Sequence, residues 1–525
     1  MSTTVPELTM RSVALRNTVT LTGCDSQAAK MSIDFGHDGF DYTRDLCDAI
    51  ERYTNAALSQ SPKGFHYRGL DLLPAIQRLL YIHCINSVAL FERYRNRPSS
   101  RSQLQLNTLD DLVAPFLVDA PAIPRGTRPS HMFHVVARRI YGLVRERLQR
   151  RVERAKEVTR NQILFHIGNQ KFVRYLSAIT NELTDHSYAF LTTGNACLAE
   201  QLQQQGRPSI HWPDRGATFQ SVTAARKLAP FEPLVHEADR LIEAIHRLQP
   251  ACVVVVEGNA PADALMAEVC RKLGVPCYCI QQGWSPYIHT GFRNMRFTEM
   301  LVWGPLFADM LRPFNPGQQF RITGSHILAR SAASSDAGNL FSFFLQAPCA
   351  LLGHTEFEAF VTLAEDIAAL FPSAQFVVRE HPGYPLQAER KRTFNQLNNV
   401  RFSDPAHESL SDLISRSALV ISVFSTVLLE ALALDVPSLI CSIGAMKRYQ
   451  PEIAAEGAAL EVSSIDEARE ALSKLISTPN LLDEMKQRIP AVKGKFFSPG
   501  TAAQTISSIL ESTISGTADR QPGSF

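Results

Sequence analysis

The sequence predicts an α/β protein in which two tandem doubly wound domains, each a parallel sheet with helices on both faces, follow a mainly helical amino-terminal region. Three observations carry that prediction. From residue 161 onward, short apolar runs alternate with helical patterns, the rhythm of βαβ units. Ala251–Val256 (ACVVVV) shows no polar alternation, which suits a strand covered by helices on both faces. Before residue 160, apolar residues recur instead at helical spacing. At 525 residues the chain is too long for one core, and about three compact units are expected.

The amino-terminal region is assigned to residues 1–160. Residues 1 to about 30 are polar and without period, which predicts a frayed start. Leu46, Ile50, Tyr53 and Leu58 then mark one amphipathic helix, and Leu72, Leu73, Ile76, Leu79, Leu80 and Ile82 a second. A proline-rich passage, Pro115 to Pro129, precedes a basic helical run, Arg138–Arg160, with nine Lys/Arg against three Glu. Two readings of that run compete: a solvated helix packed on the next domain, or a surface that holds anionic lipid or an acidic glycan.

The first sheet domain is assigned to residues 161–318. Its expected strands are Ile163–Ile167, Tyr188–Thr192, Ala251–Val256 and Cys277–Ile280, with helices at Phe172–Leu183 and Asp263–Leu273, the latter stopped by Gly274. The second is assigned to residues 319–512. Its strands are expected at Phe320–Thr323, Ala350–Leu352, Gln375–Arg379, Val400–Phe402, Leu419–Ser422 and Ser438–Cys441, and its helices at Glu356–Leu370, Leu410–Ile414 and Thr426–Leu434. Residues 513–525 are read as a tail. Both sheet domains are thus expected to be Rossmann-like.

Composition excludes several function classes. With 45% hydrophobic and 20% charged residues, 27 Gly and 30 Pro, the chain is neither disordered, collagen-like nor a coiled coil. A formal net charge of +2 argues against a general nucleic-acid binder, and no nucleic acid is expected as a partner. The first residues lack the apolar core of a secretory signal, so a cytoplasmic location is expected, with a peripheral place at the inner membrane if the basic run binds lipid. Leu72–Phe91 is interrupted by Arg78, His83 and Asn86, and Ala418–Leu429 is too short, so no membrane span is predicted. The 10 cysteines are scattered; Cys277 and Cys279 fit neither a redox nor a zinc spacing and are read as reduced core residues.

Ligands of open parallel sheets bind beyond the carboxyl ends of the strands, so the loops there bear the chemistry. Neither domain has GxGxxG after its first strand, and GxxxxGK[ST] is absent, which disfavours a nicotinamide dehydrogenase or a P-loop kinase. Gln375–Arg379 runs into Glu380-His381-Pro382, where the proline holds the imidazole in an extended loop. His381 could there donate to a phosphate or, as a cation, offset its charge, or it could simply cap the strand. After Leu419–Ser422, Ser425 and Thr426 open a helix, a place suited to an anion and equally to plain N-capping. Glu430 follows one turn later, within reach of a ribose or sugar hydroxyl. In the first domain, Glu257 ends one strand and Gln281, Gln282 and Trp284 follow the next. Glu257 is the leading candidate for a base acting on an alcohol, with Gln281 and Gln282 positioning it and Trp284 stacking on a sugar ring. The competing readings are a loop carboxylate bonded to backbone and a packing tryptophan. His166, with Gly168 permitting close approach, ends the first strand and is an acceptor-side candidate. Gly324, Ser325 and His354 are further expected linings of the cleft.

The pieces GNAPADALMAEVCRKLGVPCYCIQQGW (258–284), LVWGP (301–305), ITGS (322–325), REHPGYP (379–385) and SVFSTVLLEALALDVPSLI (422–440) together resemble the GT-B glycosyltransferases of bacterial capsule and lipopolysaccharide synthesis, in particular enzymes related to the Kdo and sialic acid transferases. FHYRGLDLLPAIQRLL (65–80) also looks like a segment that precedes the sugar-transfer domains of such proteins. The resemblance implies a nucleotide-sugar donor in the carboxy-terminal domain and a glycan or glycolipid acceptor in the amino-terminal one. It maps the His-Pro pair to His381 and Pro382 and the phosphate-binding hydroxyls to Ser425 and Thr426, and implies CMP-Kdo or a CMP-sialic-acid-like donor. Where many relatives read QHG, this chain has Gln281-Gln282-Gly283, which leaves no histidine there.

The function expected from these residues is transfer of a sugar from a nucleotide donor to a hydroxyl of a surface glycan. Glu257 and His381 are the catalytic candidates; Glu257 is base if the centre inverts and nucleophile if it is retained. No DxD pair stands at a strand end, so no metal and no cofactor is expected. The alternatives are a nucleotide-sugar 2-epimerase or a CDP-glycerol-type phosphotransferase on the same scaffold, and, from another class, a non-catalytic glycan-binding scaffold subunit.

Overall fold

A computed structural model describes residues 42–60, 65–85, 161–183, 187–212, 231–284, 288–326, 339–349, 352–443, 451–454 and 457–518. Helix α1 (Tyr42–Gln60), a small hairpin β1 (His66–Tyr67) and β2 (Leu70–Asp71), and helix α2 (Leu73–Ile85) come first. A seven-stranded parallel sheet follows, in spatial order β5-β4-β3-β6-β7-β8-β9. Its strands are β3 (Ile163–His166), β4 (Tyr188–Thr193), β5 (Ser209–Trp212), β6 (Cys252–Val256), β7 (Cys277–Ile280), β8 (Glu299–Val302) and β9 (Phe320–Ile322). The helices between them are α3 (Lys171–Thr180), α4 (Ala196–Gln204), α5 (Glu232–Leu248), α6 (Pro261–Lys272) and α7 (Pro305–Leu311).

The second lobe is a six-stranded parallel sheet ordered β12-β11-β10-β13-β14-β15. It comprises β10 (Leu340–Phe344), β11 (Gln375–Arg379), β12 (Val400–Phe402), β13 (Leu419–Ser422), β14 (Ser438–Cys441) and β15 (Ala459–Val462). Helices α8 (His354–Leu370), α9 (Ala388–Asn395), α10 (Leu410–Ser415), α11 (Thr426–Ala433), α12 (Ile465–Ser477), α13 (Pro479–Phe496) and α14 (Ala502–Ala518) complete the chain. The two tandem Rossmann-like domains are therefore present. Strand order reverses between β3 and β6 in the first sheet and between β10 and β13 in the second, which fixes where each lobe can hold a ligand.

The strands alternate their side chains between two buried faces. Ile163 and Phe165 of β3 join a cluster with Ile506 and Leu510 of α14, whereas Leu164 faces a larger cluster built with α5, α6 and α2. That larger cluster also includes Val377, Val420 and Ile440 of the second sheet, so apolar packing is continuous between the lobes.

Three expectations need correction. Phe320–Thr323 does not open the second domain: β9 pairs with β8 through Met300↔Phe320 and Val302↔Ile322 and is the edge of the first sheet. The second sheet starts with β10, and Ala350–Leu352 is not its first strand; Leu352 forms only an isolated bridge with Cys349, and residues 350–351 lie outside the described residues. Nor does a tail begin at residue 513: residues 519–525 lie outside the described residues, and α14 continues to Ala518 and returns to the first lobe. There Ser507 Oγ donates to the Ile179 carbonyl at 3.0 Å and Thr513 Oγ1 meets the Tyr278 hydroxyl at 3.0 Å. The crossing is made where Phe496 and Phe497 pack against Phe307 and Trp303.

The described part of residues 1–160 is helical as expected, but it is not a separate module. Arg78 is 1% exposed and donates to the carbonyls of Pro74 and Gly291, both at 3.0 Å, tying α2 to the first lobe. The Tyr67 hydroxyl donates to Asp239 at 2.9 Å, and Arg296 bridges Asp71 and Glu268 at 2.8 and 3.0 Å. The frayed start and the basic run Arg138–Arg160 lie outside the described residues. Among the described residues no helix is long and apolar enough to cross a membrane. Seven of the described free cysteines are buried as expected, but Cys197 and Cys349 are exposed.

Candidate active site between the lobes

The site begins where β6 ends. Glu257 has φ 69° and Gly258 φ 72°, so the chain turns in the left-handed region at two successive residues. At Gly258 only glycine fits, because a Cβ would lie 2.5 Å from Cys279 Sγ. At Glu257 an ordinary side chain is held in a conformation that costs on the order of 1 kcal/mol, the kind of strain that gathers at functional sites. Burial raises the Glu257 carboxyl above its ordinary range, partly offset by the Lys171 ammonium. Helix α6 then starts at Pro261. Asp263 accepts from the Ala260 N–H at 3.2 Å, and burial pushes its carboxyl up to about 7, with Glu257 adding to the rise and Arg78 opposing it.

The loop after β7 forms the facing wall. Gln281 is 1% exposed and lies behind the wall: its Oε1 accepts from the Trp303 N–H at 2.9 Å, and its carbonyl accepts from the Tyr175 hydroxyl at 2.7 Å and from Trp303 Nε1 at 3.0 Å. Gln282 points the other way, into the site. Trp284 is buried on Phe292 and Phe307, with ring centroids 5.5 and 5.0 Å away, and lines the same space.

From the second lobe comes α11. Ser425 Oγ accepts from the Val427 N–H at 3.3 Å, an N-cap that fixes the first turn. Thr426 Oγ1 accepts from the Trp284 N–H at 3.3 Å and donates to the Trp284 carbonyl at 3.4 Å, so it bonds across to the first lobe. Burial pushes the Glu430 carboxyl up to about 7, and the Arg379 guanidinium opposes that rise.

These elements enclose a cavity of about 250 Å³. The first lobe contributes Glu257, Asn259, Gln282, Gly283, Trp284 and Phe292, and the second Thr426 and Glu430. Five candidates chosen from the sequence thus share one space: Glu257, Gln282, Trp284, Thr426 and Glu430. A Cβ at Gly283 would stand 3.3 Å from Thr426 Oγ1 and 3.8 Å from Glu257 Oε1, which shows how closely the walls converge. Two half-buried carboxyl groups, two side-chain amides and two aromatic residues suit a polyhydroxylated ring rather than an anion.

The remaining candidates lie elsewhere. His381 follows β11 in a turn whose Nδ1 accepts from the Gly383 N–H at 3.2 Å and whose carbonyl accepts from the Tyr384 N–H at 2.9 Å. Burial lowers its pKa, so it is a neutral donor through Nε2 rather than a cation. Phe344 of β10 pairs with Arg379 on one side and Ser422 on the other. The His381 and Ser425 loops therefore leave the same sheet edge two strand spacings apart, about 10 Å. Pro382 is exposed, and His354, at the start of α8, stands 3.5 Å from the Tyr384 hydroxyl. His166 is only 8% exposed; its Nε2 bonds Thr193 Oγ1 at 3.1 Å, and burial lowers its pKa to about 4. Gly168 is exposed and nothing approaches it. Gly324, at φ +83°, meets this chain's own backbone, since a Cβ would lie 2.9 Å from the Ser498 carbonyl oxygen; Ser325 Oγ beside it is buried without a partner among the described residues. Phe292 was not singled out by the sequence, because it arrives on a short 3₁₀ turn, Thr290–Phe292, that carries no periodic signal.

No family model matches this chain, and no curated protein is similar to it. Solved structures with a similar layout include UDP-GlcNAc 2-epimerase from Neisseria meningitidis bound to UDP-GlcNAc, at 15% identity and TM-score 0.47, covering 68% of this chain and 100% of that one. MurG of Acinetobacter baumannii aligns at 16% identity and TM-score 0.46, over 67% of this chain and 100% of its own. Anabaena HepE in complex with UDP and glucose aligns at 14% identity and TM-score 0.42, over 67% and 100%.

Proposed function

We propose that this protein transfers a sugar from a nucleotide-sugar donor to a hydroxyl of a glycan or glycolipid acceptor, with CMP-Kdo or a CMP-sialic-acid-like sugar as the donor. The observation that carries the reading is the cavity at the switch points of both sheets, in which Glu257 of one lobe faces Thr426 and Glu430 of the other. The family resemblance of residues 258–284, 379–385 and 422–440 supports it independently.

In this mechanism the acceptor oxygen attacks the anomeric carbon, the bond from that carbon to the phosphate oxygen breaks, and the electron pair leaves with the nucleotide. Glu257 takes the acceptor proton when the centre inverts. Its raised pKa brings it nearer to neutrality, which favours a general base. Glu430 receives a hydroxyl of the donor, and Trp284, which lines the same cavity, meets the apolar face of a sugar. The neutral His381 donates Nε2–H to the nucleotide portion from the neighbouring strand end. Transfer of this kind depends mostly on charge stabilisation at the leaving group.

A second reading is favoured by the same pair of protonatable carboxylates: an epimerase, which needs one group to remove and one to return a proton on the donor itself. One experiment separates the two. The protein is incubated with CMP-, UDP- and GDP-sugars and with CDP-glycerol, with and without an oligosaccharide acceptor, and the products are followed by NMR. Consumption of donor only when acceptor is present supports transfer. Conversion of donor alone replaces that reading with epimerisation, and a new phosphodiester with release of CMP replaces it with phosphotransfer.

A further inference from the structure

Among the described residues none that lines the cavity is a cation, and the two hydroxyls expected to meet a phosphate already bond within the protein. Negative charge on a donor therefore needs another seat. Most arginines of the second lobe are already in ion pairs: Arg390 with Glu358 and Glu365, Arg401 and Arg416 with Glu408, and Arg469 with Asp366. Arg379 differs. Its Nη1 donates to Ser403 Oγ at 2.8 Å and to the backbone carbonyl of Glu408 at 2.9 Å, whereas the Glu408 carboxylate is occupied by Arg401 and Arg416. Among the described residues no carboxylate lies within ion-pair distance of Arg379. Its guanidinium is thus aimed by neutral oxygens, and the Glu408, Asp404 and Glu430 carboxylates offset its charge only from beyond ion-pair distance.

Arg379 is the last residue of β11, level with the sheet edge from which the α11 loop also leaves. Its field reaches Glu430 in the cavity and Arg174 on the facing lobe. Arg174 and Lys171 stand one turn apart on α3, so they share a face, both are exposed, and the first turn has no acidic residue to offset them. The next residue, Tyr175, fixes that helix to the cavity wall through the Gln281 carbonyl. Lys171 in turn lies near enough to Glu257 to influence its ionisation. Like charges facing each other across a cleft repel, and an anion between them converts that repulsion into attraction.

We propose that Arg379 of the second lobe, with Lys171 and Arg174 of the first, forms an oxyanion subsite at the mouth of the cavity, which holds the negative group of the donor while its sugar sits between Glu257 and Glu430. The inference rests on the nucleotide-sugar reading and moves the seat of charge away from the α11 hydroxyls. The oxyanion is a phosphate, or the carboxylate of an acidic sugar, both of which suit a guanidinium fork.

The test is isothermal titration of the full chain with CMP and UDP, with cytidine and uridine as their uncharged counterparts, and with N-acetylneuraminate. The variants are Arg379→Gln, Arg379→Lys and the exposed pair Lys171→Gln/Arg174→Gln. The wild type is expected to prefer nucleotide to nucleoside by at least about tenfold, as one charge-assisted contact supplies. Both Gln variants should bring that preference towards one, with Arg379→Lys intermediate. If N-acetylneuraminate rather than CMP loses affinity in the variants, the subsite stands with a carboxylate as its anion. An unchanged nucleotide preference in the Lys171→Gln/Arg174→Gln variant and in whichever Arg379 variant folds overturns the subsite and leaves the donor reading intact. If neither a nucleotide nor N-acetylneuraminate binds the wild type, both fall.

Discussion

The Thr426 hydroxyl lies between the backbone N–H and carbonyl of Trp284, 3.3 and 3.4 Å away, so one side chain of the second lobe bonds both main-chain groups of one residue in the first. Both contacts are long for hydrogen bonds, and such a pair contributes about 1 kcal/mol. It acts as a weak latch across the cavity. Replacing Thr426 by Val should lower the unfolding free energy by about that amount and enlarge the radius of gyration, whereas Thr426→Ser should change neither. Denaturant titration and small-angle scattering read the two effects; a Val variant as compact and as stable as the wild type would show that the contact does not hold the lobes.

Glu257 combines a left-handed backbone with a buried, proton-favouring carboxyl. Both are unfavourable to folding and neither serves packing. Glu257→Gly relieves the backbone and removes the desolvated acid, so the variant should be more stable by about 1 kcal/mol while transfer falls by about a hundredfold or more. Glu257→Gln should lose activity without the backbone gain. A destabilised Gly variant would mean that the carboxylate supports the fold.

Stability should depend on pH through two groups of opposite sign. Glu430 is raised from 4.5 to about 7 in the folded protein, so its contribution is present at low pH and is lost as pH rises through about 7. His166 is lowered from 6.5 to about 4, so its contribution is present above 6.5 and is lost as pH falls towards 4. Thermal melts from pH 5 to pH 8 should show Glu430→Gln gaining on the wild type as pH rises and His166→Gln gaining on it as pH falls. Parallel curves for all three proteins would contradict the burial of these groups.

Leu510 and Ile506 of α14 are fully buried in the core of the first lobe, although they follow the second lobe in sequence. Leu510→Ala should destabilise by about 2–5 kcal/mol, the usual cost of an aliphatic core truncation. Amide exchange should localise the loss to β3 and β6. Faster exchange in the second lobe alone would place the helix wrongly.

The strand ends that build the cavity were legible because a parallel sheet concentrates chemistry at its carboxyl edge, which singled out Glu257, Gln282, Trp284, Thr426 and Glu430 from local pattern alone. What local pattern lacks is the partner. Strand β10 escaped because Ser342 interrupts its apolar run, and the reason that serine is tolerated, a 2.7 Å bond to Ser417 Oγ, lies 75 residues away. Strand β9 was visible as a strand, but only its register with β8 assigns it to the first sheet. Gly324 was expected to line the cleft, and what closes on it is the returning chain near Ser498. Arg379 sits inside a segment quoted for its histidine, and nothing before or after it reveals that its hydrogen-bond partners are neutral oxygens.

The central claim is that one cavity, walled by both lobes, receives the sugar of a nucleotide donor. Hydrogen–deuterium exchange on the full chain, with and without each of a CMP-, a UDP- and a GDP-sugar, tests it directly. A donor that binds should slow exchange together in residues 256–259, 281–284 and 424–430. A donor that binds while slowing one lobe alone, or neither, would contradict the account.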